Sequence, residues 1–255
     1  MNKTLFLSTF LSFIFLIFQA DLNGQTKMKE NQSKGLILVK GKKTDDGIIE
    51  LASLSNPWEN QRKVKYIKEK TFNKGKVKKK DWEKYKPKDI DGYQFGDRVF
   101  VVEKYTPVGT ALQSTNVNKL TTATALAGSL SKNKHFMELV LDGEIKVYRF
   151  YNYPPEASAQ VGNDQIGAYA EMVENIRTYY EVLIKVGKKG KVQNFKKVKI
   201  EELLAGCEEV KTKYLNGEYA LKKNAMNQLL KVGGGGYELE KSVVEMIRDY
   251  NNCKK

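Results

Sequence analysis

The sequence predicts an α+β protein, in which an antiparallel, hairpin-built β-sheet region is followed by a short C-terminal helical bundle. Two observations predict this class. Over residues 35–198, runs of strand-forming residues alternate with short turns rich in Gly, Asn and Asp, and sequential hairpins build an antiparallel sheet. From Ile200 onward, apolar residues recur at helical spacing instead. Strands first and helices last is the α+β pattern.

The clearest single element is the hairpin Phe136–Tyr151. We predict a three-residue loop, residues 141–143, with Gly143 in the left-handed conformation. The register that separates apolar from polar residues then defines two faces. The predicted pairs are Leu139 with Ile145 and Met137 with Val147 on the apolar face, and Glu138 with Lys146 and Phe136 with Tyr148 on the other.

Other hairpins are predicted on both sides of this element. Their strands cover residues 35–41 and 47–51, 62–69, 93–95 and 98–104, and 178–186 and 191–195. Residues 106–134 are rich in Ser, Thr, Ala and Asn, and we expect a long surface loop there. Residues 166–176 show helical spacing interrupted by Gly167.

Three short helices are predicted in residues 199–255. The first runs from Ile200 and stops at Asn216-Gly217, the second covers residues 221–229 and ends at Gly233, and the third covers residues 239–250. Short connections between them bring Cys207 near Cys253, so we predict a disulfide, which in the chain-entropy model stabilises by about 4 kcal/mol. The alternative is one buried thiol and one exposed thiol.

The N-terminus has the pattern of a signal peptide, predicted over residues 1–24. Lys3 precedes an apolar run, Leu5–Phe18, which is too short to span a membrane as a helix. Cleavage after Gly24 is preferred to cleavage after Ala20, and an uncleaved anchor is the alternative. No Cys lies nearby, so the chain is not expected to be a lipoprotein. Residues 25–34 then read as a flexible leader.

Composition points to an exported basic protein. The 255 residues include 44 Lys and Arg against 30 Asp and Glu, a formal charge of +14, and the mean hydropathy is −0.52. Outside the cytoplasm, in the periplasm or beyond the cell, the anions available to such a protein are acidic glycans, lipid head groups and acidic envelope proteins. Nucleic acid is therefore not an expected partner, and no cofactor or transmembrane helix in the mature chain is expected.

No catalytic or metal-binding constellation is predicted. The one histidine, His135, stands at a strand start and is interpreted as an exposed structural residue. A tetrahedral zinc site needs more Cys and His ligands than the chain offers. Asp142 and Glu144 are close in sequence, but Asp142 is a typical turn residue, so a glycosidase pair there is not favoured. The Gly233–Gly236 run lacks the Lys-Ser/Thr of a phosphate loop.

One segment is a candidate binding surface. Residues 63–88 contain twelve Lys against three acidic residues. Lysine heads supply a positive field, and aromatic rings could stack on sugars. The candidate residues are Lys76, Lys78, Lys79, Lys80, Trp82 and Tyr85. The alternative is a solvated lysine loop beside a Trp82 ring that packs on the sheet.

Several short segments resemble a group of uncharacterised exported α+β proteins of Bacteroidetes-type bacteria. They are Tyr85–Tyr93, the strand Phe136–Leu141 with its Asp142-Gly143 turn, Cys207, Asn216–Tyr219 and Tyr250-Asn251. Residues 106–134 and the Gly233–Gly236 run depart from the group's pattern. The resemblance implies export and this architecture, and it implies no activity or site residue.

These observations favour a non-enzymatic protein of the cell envelope that acts by contact with an anionic or protein partner. The alternative from another class is a carboxylate-dependent hydrolase of envelope glycan. A third possibility is a purely structural component of an envelope assembly.

Overall fold

A computed structural model describes residues 27–39, 42–43, 46–106, 134–153, 170, 173–174, 180–221 and 235–254. The predicted signal peptide, all but the ends of the 106–134 loop, most of the 166–176 segment and the second predicted C-terminal helix lie outside these described residues. Within them, no helix is both long enough and apolar enough to cross a membrane.

The described strands form one antiparallel sheet. In chain order they are β1 Gln32–Val39, β2 Lys42–Lys43, β3 Gly47–Leu51, β4 Val64–Lys68, β5 Glu83–Tyr85, β6 Gly92–Phe95, β7 Arg98–Lys104, β8 Lys134–Leu141, β9 Ile145–Tyr151, β10 Tyr180–Val186 and β11 Gln193–Asn194. The spatial order is β11-β10-β9-β8-β7-β6-β1-β3-β4-β5, and the two-residue β2 pairs only with β1. The predicted α+β class is confirmed, since C-terminal helices follow this sheet.

The helices are short except for the last. They are α1 Pro57–Asn60, α2 Glu69–Phe72, α3 Ile200–Leu203, α4 Glu208–Asn216 and α5 Gly235–Cys253, with 3-10 turns at Lys79–Asp81 and Phe195–Lys197. The first predicted C-terminal helix is divided, because residues 204–206 form a turn and Cys207 is the N-cap of α4. Gly217 ends α4 as predicted, with a φ of 83°.

Two elements begin three or more residues earlier than the sequence predicts. β1 begins at Gln32, inside the predicted 25–34 leader, because Gln32 to Gly35 pair with Glu50 to Gly47 of β3. The helix α5 begins at Gly235, inside the Gly233–Gly236 run, whereas the third C-terminal helix was predicted from residue 239. Gly236 is buried there against the Tyr180 ring of β10, so part of the glycine run has a packing role.

One face of the sheet carries two adjacent apolar clusters. Over β9 and β10, the C-terminal helices bury Ile145, Val147, Leu204, Val243 and Ile247, among others. Beyond them, strands β1, β3, β4, β6, β7 and β8 contribute a second cluster that includes Ile37, Ile49, Tyr66, Tyr93, Phe100 and Phe136. A charged network lies between β7, β8, β9 and α5. In it Arg98 and Arg149 hold Glu138, and Arg149 also holds Glu240 of α5 through two bonds of 2.8 and 2.6 Å.

The hairpin β8–β9 forms, but the predicted register is wrong. Leu139 pairs with Tyr148 and Glu138 with Arg149, and a bulge separates Leu139 from Leu141. Met137 therefore packs with Tyr148, on the face opposite Val147. The physical reason is that both faces of β8–β10 are covered, so apolar residues occur on both and the one-face pattern does not select a register.

The predicted pairing of Glu138 with Lys146 is wrong for the same reason. Glu138 bonds Arg98 and Arg149 instead, and Lys146 pairs with Asp142 at the hairpin turn. Phe136 and Tyr148 likewise belong to different clusters on opposite faces.

The left-handed Gly143 is also a wrong prediction, because the loop is 142–144 and the described left-handed glycines are Gly75, Gly96, Gly187 and Gly217. Gly143 is required by close approach instead. A Cβ there would lie 2.2 Å from Nδ2 of Asn251, which is on α5. The Asn251 amide donates to the Ile145 carbonyl and accepts from the Ile145 N–H, both at 2.9 Å.

A second carboxamide lies where β8 and β9 separate. Their pairing ends at Glu138 and Arg149. Two residues further along each strand, Phe136 and Tyr151 bond Gln61 instead of each other. The Gln61 side-chain amide accepts from the Tyr151 N–H and donates to the Tyr151 carbonyl, both at 2.7 Å. The backbone carbonyl of Gln61 accepts from the Phe136 N–H at 3.0 Å. Gln61, buried to 3% exposure, therefore fills the gap between the two strands.

The predicted pairing of the cysteines agrees with the structure. Cys207 and Cys253 form a disulfide, with their sulphur atoms 2.01 Å apart. The bond joins the start of α4 to the end of α5, two residues beyond Asn251.

Candidate functional site

A groove of about 1090 Å³ lies between three segments of the chain, and we call it the lysine groove. One side is the β10–β11 hairpin and the turn after it, residues 185–197. The second is formed by the ends of β7 and β8, residues 102–106 and 134, and the third by the loop at 87–91. The lining lysines are Lys88, Lys104, Lys134, Lys185, Lys188, Lys189, Lys191 and Lys197.

The hairpin side is the most basic. Its lysines follow from the sequence GKKGK at 187–191, where two glycines allow a tight turn and the lysines between them stay in solvent. Gly187 has a φ of 62°, and a Cβ on Gly190 would lie 2.0 Å from the Val186 carbonyl oxygen. Both positions thus need glycine, and the turn that presents Lys188 and Lys189 is fixed by the backbone.

The strand-end side brings two lysines together. Lys104 and Lys134 are directly opposite each other across β7 and β8, and both are exposed. Like charges at paired positions destabilise a sheet, so this pair costs stability unless an anion lies nearby. Beside it, Glu103 accepts from Lys185 at 2.8 and 3.0 Å and from the Tyr148 hydroxyl at 3.0 Å.

The loop side carries the two groove carboxylates other than Glu103, which are those of Asp89 and Asp91. Asp89 accepts a hydrogen bond from the Lys86 N–H at 2.9 Å, which shapes the turn. The Asp91 backbone bonds Leu38 and Val102, at 2.8 and 2.7 Å, and so fastens the loop to the sheet. Both carboxylates are exposed, while Ile90 between them is buried.

The electrostatic balance of the lysine groove is positive and uneven. Eight lysines line it against three carboxylates, Asp89, Asp91 and Glu103. Five of the lysines belong to the hairpin side, which contributes no carboxylate, whereas the loop side contributes two carboxylates and one lysine. Within the described part of the chain, Lys185 is the one groove lysine with an ion-pair partner at 4.0 Å or less. The groove is therefore able to attract anions.

The surface predicted around Lys76 to Tyr85 has a different geometry. The four lysines are exposed, as expected for a solvated segment. Trp82 is half-buried and packs edge-on against Phe72, with ring centroids 6.3 Å apart. Tyr85 packs against the cluster around Tyr66, and its hydroxyl donates to Glu83. Both rings are thus used in packing on the sheet, which is the arrangement that the alternative interpretation describes.

Burial and the neighbouring Glu83 raise the pKa of Tyr85 to about 12. Its hydroxyl is therefore neutral at physiological pH and acts there as a donor to Glu83.

His135 is a correction to the sequence interpretation. It is buried, with 6% exposure, and not exposed. Its ring nitrogens lie 2.9 Å from the Tyr153 hydroxyl and 3.1 Å from the Tyr105 carbonyl, and its ring packs edge-on against Phe150. Burial lowers the pKa of His135 to about 4. A single histidine does not reveal its surroundings in sequence, because Tyr105 directly follows β7, whereas Phe150 and Tyr153 come from the end of β9 and the residues after it.

Three acidic residues of the β8–β9 hairpin and α5 are engaged in structural bonds. Asp142 pairs with Lys146 and accepts from the Gly143 N–H, while Glu138 and Glu240 are held by arginines. Among the described residues, no group of three His, Cys, Asp or Glu side chains is placed to hold a metal ion.

The lysine groove was not predicted from the sequence, although the hairpin with strands 178–186 and 191–195 was. The signal was the density of lysine in residues 185–197. It could not reveal the groove, because residues 87–91 and 102–106 come close to that hairpin only in the folded sheet.

Comparisons with protein-family models, with curated proteins and with solved structures find no match to this chain.

Proposed function

We propose that this chain is an exported, non-enzymatic protein of the cell envelope that binds an anionic partner in the lysine groove. The observation that carries the proposal is the concentration of eight lysines on three segments that are distant in sequence but adjacent in space. Export is proposed from the N-terminal pattern, in which Lys3 precedes an apolar run that ends near Phe18.

Three features support binding over a purely structural role. Lys104 and Lys134 are paired across two strands at a cost in stability. Glycine requirements at positions 187 and 190 fix the turn that exposes Lys188 and Lys189. The groove is also more charged than a typical small-molecule pocket, which is mostly apolar. These features suit an extended, charged partner.

The arginines are used differently from the groove lysines. Arg98 and Arg149 form the internal network with Glu138, and Arg62 lies over the Tyr153 ring at 4.1 Å. Planar guanidinium groups suit such fixed, bidentate contacts, whereas lysines act as mobile point charges. A lysine-lined groove therefore favours a partner recognised by its charge.

The test compares two charge-reversal variants with the same change in net charge. Lys188→Glu with Lys189→Glu alters the groove, and Lys27→Glu with Lys29→Glu alters exposed lysines before β1. Binding to a sulphated glycan resin and to isolated cell envelope is measured over a salt series. We expect the groove variant to lose at least ~10-fold in affinity at low salt and to show a flatter salt dependence, because screening acts on the charges that bind.

Equal losses in both variants would show that only net charge matters and would overturn the groove as the site. A third variant, Lys79→Glu with Lys80→Glu, separates the groove from the Lys76–Lys80 segment. A larger loss in this variant than in the groove variant would move the site to that segment.

The alternative, a carboxylate-dependent hydrolase of envelope glycan, predicts a different result in the same assay. Products would be released from the glycan, and Asp91→Asn or Glu103→Gln would abolish their release. Binding without release supports the proposal.

A further inference from the structure

We infer that the ligand of the lysine groove is a glycan strand whose acidic groups lie along the hairpin side and whose hydroxyl groups face the loop side. This inference rests on the proposed function and adds the chemical class of the ligand. It follows from the uneven distribution of charge across the groove.

The two sides of the groove demand different chemistry. The hairpin side presents Lys188, Lys189, Lys191 and Lys197, with no carboxylate among its lining residues, while its fifth lysine, Lys185, is held by Glu103. These lysine heads are donors and suit carboxylate, sulphate or phosphate groups. A ligand must therefore place its anionic groups along residues 185–197.

The loop side presents acceptors. Asp89 and Asp91 are exposed carboxylates that line the same groove. The loop side contributes one lysine to the lining, Lys88. An ionised carboxylate accepts hydrogen bonds and donates none. Sugar hydroxyls are the natural donors to such a group, and the resulting charge-assisted hydrogen bonds are about twice as strong as neutral ones.

A uniformly charged polymer fits this groove less well. Inorganic polyphosphate carries anionic groups on every side, so it meets Asp89 and Asp91 with like charge, and like-charge contacts oppose binding. A glycan in which acidic sugars alternate with neutral ones can turn its charges to one side and its hydroxyls to the other. Tyr105, Val102, Val192 and Pro87 add apolar lining on which sugar rings can pack.

The experiment measures the response of two probes to the same substitution. The probes are a short hyaluronan oligosaccharide, in which acidic and neutral sugars alternate, and inorganic polyphosphate. The variant is Asp89→Asn with Asp91→Asn, which keeps the side-chain shape and removes two negative charges. Affinity is measured by calorimetry on the purified chain, with circular dichroism to verify that the variant is folded.

We expect opposite responses. Hyaluronan affinity falls ~3–10-fold, because charge-assisted bonds to hydroxyls become neutral ones, and polyphosphate affinity rises ~2–5-fold, because repulsion is removed. The Lys188→Glu with Lys189→Glu variant lowers the affinity for both probes.

Each other outcome has a distinct meaning. If the aspartate variant strengthens both probes, or if polyphosphate binds the unaltered chain and hyaluronan does not, the glycan assignment is overturned and anion binding in the groove stands. If neither probe binds the unaltered chain, the proposed function falls as well.

Discussion

Asn251 offers the sharpest test of how the C-terminal helix holds the sheet. Its side-chain amide makes two hydrogen bonds of 2.9 Å with the backbone of Ile145, at the start of β9. Ile145 is fully buried, and Asn251 is 8% exposed. The substitution Asn251→Ala leaves the Ile145 N–H and carbonyl without these partners.

The expected cost follows from those two groups. A buried polar group left without its hydrogen-bond partner costs about 1–3 kcal/mol. The neighbouring turn residues 142–144 are exposed, so water can replace part of what is lost. We therefore expect Asn251→Ala to lower the free energy of unfolding by about 2–4 kcal/mol, measured by urea denaturation followed by circular dichroism.

A double-mutant cycle with Gly143 makes the reasoning falsifiable. In Gly143→Ala the new Cβ would lie 2.2 Å from Nδ2 of Asn251, so this variant should also be destabilised, because the amide must leave its position. Once Asn251 is alanine that clash is absent. We expect Gly143→Ala to cost ~1–2 kcal/mol less in the Asn251→Ala background than in the unaltered chain, a coupling typical of residues in contact.

Additive costs in this cycle would refute the close approach of Gly143 to Asn251. A loss below ~0.5 kcal/mol for Asn251→Ala alone, which is typical of surface substitutions, would refute the structural role of the amide.

Three further predictions concern the pH response, the disulfide and the charged network. The pKa of His135 in the folded protein, about 4, lies below its ordinary value of 6.5, so the neutral ring stabilises the fold fully above pH 6.5 and this stabilisation is lost as the pH falls toward 4. Urea titrations should show a loss of up to ~3 kcal/mol in the free energy of unfolding over this range. His135→Gln should flatten the dependence of stability on pH between pH 6.5 and 5. Reduction of the Cys207–Cys253 bond, or Cys253→Ser, should lower the free energy of unfolding by ~4 kcal/mol, and an equal stability with and without reductant would contradict this. Glu240→Leu should cost ~3–5 kcal/mol by leaving Arg149 without its main partner, and Arg149→Met in the same chain should recover part of that cost in thermal denaturation.

The sequence predicts the local elements of this fold well, because hairpins are encoded by neighbouring residues. The hairpin between β6 and β7 and the one between β10 and β11 form at the predicted turns, and the alternation of Val64 and Tyr66 places both in one cluster. Gly217 ends α4 by a purely local backbone requirement.

Prediction from the sequence fails where contacts with a distant segment determine local structure. The register of β8–β9 is not selected by a one-face pattern, because apolar residues lie on both faces. In addition, Gln61 and Asn251, which lie far from the hairpin in sequence, bond its backbone directly. The burial of His135 depends on Tyr105 and Tyr153 in the same way. No periodicity within residues 134–151 contains this information.

The candidate site was only partly predictable. The positive charge follows from composition, and the proposal of an anionic partner rests on it. The location of the lysine groove does not, because its three sides are brought together by the pairing of β7 with β8 and by the anchoring of Asp91 to Leu38 and Val102. The segment around Lys78 was predicted as the binding surface because its lysines are close together in sequence.

The two carboxamides, Gln61 and Asn251, have a consequence for how the molecule is assembled. They bond backbone groups 90 and 106 positions away along the chain, and such long-range contacts slow folding because a large loop must close first. Asn251 follows Ile145 by 106 residues, so it is synthesised well after β9. The Ile145 backbone therefore gains these two hydrogen bonds only after α5 has been synthesised, and a chain truncated before α5 would leave Ile145 and Val147 open to self-association.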